Sequence, residues 1–254
     1  MHHRARLAVA LSCLLQAMSA SARADEPTPV RLVLCGDSTM CEYPADKPDR
    51  GWGQYLQGYF DDGVQVTNLA RGGRSTKTFR TDGLWEKALA ARPAFVLIQF
   101  GHNDSHAPGR PESTDAATEF PANLRRYVEE ARAAGATPIL LTPVVRRVFN
   151  ADGRLVGELR PYAEATRRVA SEMQVPLVDI QASSLKLVES LGPERSAAMA
   201  NEPGDRTHFN EHGARSMADL VMRELPAAAP GLEKHLVARP PVSAGDGPRP
   251  PSPP

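Results

Sequence analysis

Cysteine is scarce in this chain, three in 254 residues, and aromatic side chains make up only 6% of it. Three cysteines cannot supply the framework on which a small disulfide-stapled domain depends. Net charge is lacking as well: Lys+Arg 30 balance Asp+Glu 30, which removes any electrostatic case for a nucleic-acid partner. Lysine is rare beside arginine, but the arginines are scattered among acids and form no basic block. The apolar run from Leu7 to Ala20 falls short of the roughly 20 residues that span a bilayer. Wholesale disorder is excluded by a hydrophobic content of 41%, ordinary for a globular chain.

The chain divides into three unlike parts. Residues 1–24 begin with Arg4 and Arg6, continue through the apolar run and end at Ala22-Arg23-Ala24. This order predicts a signal peptide cleaved after Ala24, and hence a protein secreted or periplasmic, with no membrane contact once the signal is removed. A lipidated Cys13 fits poorly, because Ala10-Leu11-Ser12 is not the expected lead-in. At the other end, seven of the 23 prolines fall in 240–254, so residues 236–254 are expected to form a disordered proline-rich tail that cannot bury enough surface to offset its ordering entropy. Cleavage would remove three arginines and no acid, leaving a slightly acidic domain over 25–235.

Within that domain, short β-rich apolar runs alternate with amphipathic ones. Residues 30–34, 64–68, 94–100, 137–142 and 176–180 read as strands, three of them as near-continuous apolar runs suited to burial on both faces of a parallel sheet. Helices are expected at 53–60, 83–91, 119–134, 160–173, 182–191 and 210–225. The clearest carries Phe120, Leu124, Tyr127, Val128 and Ala131 at helical spacing, with Gly135 as its stop. Such an order implies an α/β fold, a three-layer α/β/α sandwich around a five-stranded parallel sheet.

Ligands of such sheets bind beyond the carboxyl ends of the strands. Gly36-Asp37-Ser38-Thr39 follows the first strand, Ala70-Arg71-Gly72-Gly73-Arg74-Ser75 the second, and Gly101-His102-Asn103-Asp104 the third; Asp205-Arg206-Thr207-His208 precedes the last helix. Taken singly, each would pass for a turn, a cap or a surface histidine. Together they bring to one rim a serine, a base to take its proton, an acid to hold that base, and donors for an oxyanion. Ser38 is the candidate nucleophile, with His208 its base and Asp205 the orienting acid. The Ser38 and Gly73 backbone N–H groups and the Asn103 amide are the candidate oxyanion donors.

These four blocks, in this order, resemble those of the SGNH/GDSL hydrolase superfamily. Gly-Asp-Ser-Thr, Gly73-Arg74-Ser75, Phe100-Gly101-His102-Asn103-Asp104 and Asp205-Arg206-Thr207-His208-Phe209-Asn210 are similar in particular to the rhamnogalacturonan acetylesterases. The G-x-S-x-G elbow of ordinary α/β-hydrolases does not occur. The resemblance, over roughly residues 30–225, implies the flavodoxin-like SGNH hydrolase fold. It also implies a serine esterase that removes O-acetyl groups from plant cell-wall polysaccharide through an acetyl-enzyme, without metal or cofactor. A lipase or thioesterase of the same superfamily is the alternative enzyme. A non-catalytic carbohydrate-binding protein is the alternative outside catalysis, and the unbroken blocks speak against it.

Several residues carry looser expectations. Cys35 and Cys41 flank the nucleophile, and spacing leaves open whether they are bridged. His102 and His106 bracket Asp104 without an evident third or fourth metal ligand. Trp52, Tyr55, Phe79 and Trp85 suggest sugar-stacking platforms, although aromatics at helical spacing belong more often to a core. The polar segment 105–118 is expected to be a rim loop. Arg71, Arg74 and Lys77 are candidates for local recognition of acidic pectin, since the whole protein's charge offers no steering.

Overall fold

The computed structural model describes residues 28–238. The expected signal peptide at 1–24 and residues 239–254 of the expected tail lie outside the described residues. Five strands, β1 (Val30–Gly36), β2 (Val64–Asn68), β3 (Phe95–Gln99), β4 (Thr137–Leu141) and β5 (Leu177–Val178), pair in the order β2-β1-β3-β4-β5, every pair parallel. This is the flavodoxin-like order, whose topological switch lies between β1 and β3.

Alternation along the strands assigns each side chain to one of two cores. Leu32 and Leu34 of β1, Leu97 of β3 and Ile139 and Leu141 of β4 face a layer made of a 3-10 helix (Trp52–Tyr59) and helices α5 (Ile180–Ala197) and α6 (Glu211–Ala228). Val33, Cys35, Val96, Ile98 and Leu140 face the opposite layer of α1 (Thr78–Thr81), α2 (Leu84–Ala90), α3 (Glu119–Ala133) and α4 (Arg160–Met173). On α3 the predicted stripe is buried, and Gly135, at φ +79°, turns the chain as its C-terminal stop while Ala136 N–H donates to Ala131 O at 2.9 Å. Each fully buried Leu or Phe of this stripe contributes about 1.5–3 kcal/mol, so Leu124→Ala would cost about 2–5 kcal/mol.

Four expectations are corrected in detail. Residues 52–59 form a 3-10 helix, and Gly51 enters it so closely packed that a Cβ there would lie 2.1 Å from the Cys41 carbonyl. The fifth strand keeps only two paired residues, Leu177 and Val178 against Leu140 and Leu141. α5 runs past the predicted end at 191 through a break at Gly192-Pro193. The domain also continues beyond 235: Leu236 bridges Phe60, and Val237 N–H donates to Tyr59 O at 3.0 Å. Among the described residues, no helix is long and apolar enough to cross a membrane.

Candidate active site

The nucleophile turn is built from its own backbone. Asp37 O accepts from Met40 N–H (3.2 Å) and Cys41 N–H (3.0 Å), while Asp37 Oδ1 accepts from both Thr39 N–H (2.9 Å) and Thr39 Oγ1 (2.8 Å). Ser38 is thereby left at the apex, 9% exposed. Gln99, at the end of β3 and in register with Gly36, donates from Nε2 to Thr39 Oγ1 at 2.7 Å and accepts from Trp52 Nε1 at 3.0 Å. A buried polar chain Trp52–Gln99–Thr39–Asp37 therefore ties the turn to the sheet. Burial pushes the Asp37 carboxyl up to about 6 against the Thr39 hydrogen bonds and the charges of His208 and Arg146, and among the described residues no donor reaches its Oδ2.

Ser38 Oγ lies 3.0 Å from His208 Nε2, and His208 Nδ1 lies 2.9 Å from Asp205 Oδ2. Asp205 Oδ1 caps the same turn, accepting from Thr207 N–H (2.7 Å) and His208 N–H (2.9 Å). Burial would raise this carboxyl, but those backbone bonds and the imidazole hold it below its usual range, and it stays ionised. Asn210 follows as the N-cap of α6, its side chain accepting from Gly213 N–H at 2.9 Å, so the helix start fixes the chain two residues after His208.

The candidate donors follow three neighbouring strands, Ser38 after β1, Gly73 after β2 and Asn103 after β3. After β2, Gly73 adopts φ +77°, a conformation that glycine accepts without strain, and nothing lies within 4 Å of where a Cβ would stand. Among the described residues, neither the Ser38 N–H nor the Gly73 N–H meets a protein acceptor. Asn103 gives one hydrogen of Nδ2 to Arg74 O at 2.9 Å, which orients the amide and leaves the other hydrogen to donate. Asp104 braces the two loops together: its carboxylate accepts from Thr76 N–H (3.1 Å), Thr76 Oγ1 (2.5 Å) and Thr114 Oγ1 (2.8 Å).

The expected set Ser38, Gly73, Asn103, Asp205 and His208 thus meets at one rim. The looser expectations fare differently. Cys35 and Cys41 are buried free thiols. Trp52, Phe79 and Trp85 are core side chains, and Tyr55 is half-buried beneath the Arg215 guanidinium, 4.1 Å from its ring centre. Arg74 pairs with Asp82 at 2.6 Å and Lys77 donates to Ser113 O at 2.8 Å, so both are engaged within the protein, whereas Arg71 is exposed. His102 is buried, and burial drives its imidazole down to about 3, keeping it neutral; His106 pairs with Glu112 at 2.6 Å on the rim loop. No group of three His, Cys, Asp or Glu among the described residues is placed to hold a metal. A pocket of about 600 Å³, lined by Glu42, Tyr43, Arg50 and Gln54 among others, opens on the segment after the nucleophile turn. That segment is bound to the residue following His208 by Arg50 N–H to Phe209 O at 2.8 Å.

Sequence inspection missed the consecutive arginines after β4. Arg146 donates to His102 O at 3.0 Å, beneath the Asn103 loop, and Arg147 donates to His208 O at 2.7 Å. The available signal was two arginines inside the otherwise apolar stretch Pro143-Val144-Val145-Arg146-Arg147-Val148-Phe149.

The chain is similar to known proteins in sequence and in fold. The GDSL-like Lipase/Acylhydrolase family matches residues 34–215. The rhamnogalacturonan acetylesterase RhgT of Bacillus subtilis is 36% identical over 227 residues, covering 83% of this chain and 96% of that protein. The crystal structure of YxiM from Bacillus subtilis superposes with a TM-score of 0.71 at 31% identity over 81% of this chain, which spans 58% of the YxiM chain. An acetylxylan esterase from Geobacillus stearothermophilus shares the fold, with a TM-score of 0.61 at 24% identity over 77% of this chain and 93% of that one.

Proposed function

Since the chain belongs to the GDSL-like lipase/acylhydrolase family and is a carboxylic ester hydrolase of the acetylesterase kind, we propose that it is an exported deacetylase of rhamnogalacturonan with Ser38, His208 and Asp205 as its catalytic residues. The observation that carries the assignment is the continuous relay from Ser38 Oγ through His208 (3.0 Å) to Asp205 (2.9 Å).

In the first half-reaction, Ser38 Oγ attacks the acetyl carbonyl carbon while His208 Nε2 takes the hydroxyl proton. Asp205 holds the Nδ1–H and stabilises the imidazolium. The carbonyl oxygen becomes an oxyanion facing the N–H groups of Ser38 and Gly73 and the free hydrogen of Asn103 Nδ2. Collapse breaks the bond to the sugar oxygen, which receives the proton from His208 and leaves as the sugar hydroxyl. Water, deprotonated by His208, then attacks the acetyl-Ser38 carbonyl, and acetate departs as Ser38 recovers its proton.

The identity to RhgT over nearly its full length supports rhamnogalacturonan as the substrate. The pocket beside the 42–50 segment is where a neighbouring sugar would rest, with Arg50 and Tyr43 as polar and aromatic partners. Export rests on the pattern in residues 1–24, and a mature protein beginning at Asp25 in the culture medium or periplasm would support it. The test of function is acetate release from acetylated rhamnogalacturonan beside acetylated xylan, with wild type and Ser38→Ala. Faster release from rhamnogalacturonan, abolished in Ser38→Ala, is expected. Faster release from xylan would replace the substrate, and a nitrophenyl ester series favouring octanoate over acetate would replace the acyl group.

A further inference from the structure

The base-bearing segment Asp205–His208 belongs to no strand or helix, and its position relative to Ser38 has to be set by something outside the sheet. Arg147 is buried beneath it, at 1% exposure. Its Nη2 donates to both Asp205 O (3.2 Å) and His208 O (2.7 Å), the carbonyls of the two residues whose side chains form the relay. Among the described residues, no other donor reaches either carbonyl. The guanidinium carbon lies 4.8 Å from the centre of the Phe209 ring, and the Arg147 backbone N–H donates to Arg206 O at 2.8 Å. One residue therefore grips each of Asp205, Arg206, His208 and Phe209. The grip is made at a cost, because Nε and Nη1 are buried with no acceptor among the described residues. A desolvated charge of this kind is poor stabilising material compared with an apolar side chain of similar size.

We infer that Arg147 is a positioning residue for catalysis: its buried guanidinium holds the Asp205 and His208 carbonyls so that His208 Nε2 stays within hydrogen-bond reach of Ser38 Oγ. This rests on the proposed Ser38–His208–Asp205 assignment. Arg147 touches neither substrate nor the reacting atoms, so its loss should act on kcat through the base and leave substrate binding untouched. A displacement of about 1 Å at a catalytic group can cost about 100-fold in rate.

The experiment compares wild type, Arg147→Met, Arg147→Lys and Ser38→Ala in steady-state hydrolysis of 4-nitrophenyl acetate, with melting curves to confirm folding. Loss of hydrolysis in Ser38→Ala upholds the assignment on which the inference rests; retention there would overturn that assignment whatever Arg147 does. With the assignment upheld, Arg147→Met should lower kcat at least tenfold with KM changed less than about twofold, and Arg147→Lys, which keeps a cationic donor, should recover part of the loss. A folded Arg147→Met with wild-type kcat, or a rise in KM at constant kcat, would overturn the positioning role. If Arg147→Met does not fold, Arg147→Lys decides alone: a folded protein with lowered kcat and unchanged KM supports the role, and wild-type kcat refutes it. Failure of both to fold would assign Arg147 to folding of the domain and overturn the inference.

Discussion

Asp205→Asn is a change of one heavy atom, and the structure dictates which way the new amide must face. Asp205 Oδ1 accepts two backbone N–H groups, Thr207 at 2.7 Å and His208 at 2.9 Å, while Oδ2 faces His208 Nδ1 at 2.9 Å. An NH2 group cannot occupy the Oδ1 position, because two donors already point at it. The amide oxygen therefore stays there and the NH2 turns to His208 Nδ1. That nitrogen must now accept, which moves the imidazole proton to Nε2, 3.0 Å from Ser38 Oγ. The ring then donates to the serine where it formerly accepted, and the base is lost. Amidation of the orienting acid in a Ser-His-Asp triad lowers kcat by about 10⁴, equivalent to about 5.4 kcal/mol of transition-state stabilisation.

The fold should barely notice. Both backbone N–H groups keep their acceptor, and the stability change is expected to stay below about 1 kcal/mol, a melting shift of about 2–4 °C for a domain of this size. Asp205→Ala, in contrast, strips the two N–H groups of their partner and should destabilise the segment as well. Steady-state hydrolysis of 4-nitrophenyl acetate measures the effect, with Ser38→Ala as background. An Asp205→Asn enzyme that folds and retains more than about a tenth of wild-type kcat would refute the tautomer argument.

Thr39→Val breaks the buried chain in which Gln99 donates to Thr39 Oγ1 (2.7 Å) and Thr39 Oγ1 donates to Asp37 Oδ1 (2.8 Å). Urea denaturation should show a loss of about 2–4 kcal/mol, and a loss under about 0.5 kcal/mol would deny the chain its role. Asn103→Ala removes one oxyanion donor, and kcat should fall about 10²–10³-fold at nearly constant KM; an effect on KM alone would make Asn103 a binding group. Asp104→Asn tests a pH linkage. Burial pushes Asp104 up to about 7 from 3.8, against the hydrogen bonds of Thr76 and Thr114, so its protonation contributes stability that is full below about pH 4 and lost as pH rises through 7. Between pH 8 and pH 6 the wild type should gain about 1 kcal/mol relative to Asp104→Asn, and parallel stability curves would contradict this; Asp37, pushed to about 6, adds the same trend to both proteins.

The strands were legible because sheet residues buried on both faces must be apolar without interruption, as in Phe95-Val96-Leu97-Ile98. The 3-10 helix at Trp52–Tyr59 was visible as an element and not as a type, since the choice was made by the close approach of Gly51 and Gly53 to the Met40–Cys41 backbone. The relay and donor residues could be found because strand ends concentrate chemistry, and a Ser, a Gly pair, an Asn and an Asp-x-x-His stood in such places. Arg147 could not be assigned this way. An arginine after a strand ordinarily faces solvent, and its burial follows from the return of residues 205–209 over it, a contact about sixty residues distant in sequence. Arg74 and Lys77 show the same limit from the surface: that Asp82 and the Ser113 carbonyl would hold their charged ends could not be read from composition.

The site is assembled from parts held to unequal standards of rigidity. Three of its four segments leave consecutive strands, β2, β1 and β3, whose register pairs Leu34 with Asn68 and Gly36 with Gln99. Ser38, Gly73 and Asn103 therefore inherit their spacing from backbone ladders about 4.8 Å apart, and only the short turns beyond them need tuning. The fourth segment has no ladder. His208 reaches Ser38 by way of α5, the turns at 201–206 and the cap of α6, so its placement depends on tethers: Arg50 N–H on Phe209 O, the Asn210 cap, and Arg147 on the carbonyls of Asp205 and His208. Tethers of this kind are polar and few, and those made by the Asn210 and Arg147 side chains are removable one at a time. Substitutions that act through the sheet should therefore lower stability and activity together, whereas substitutions in the tethers of the fourth segment should lower kcat in proteins that still fold.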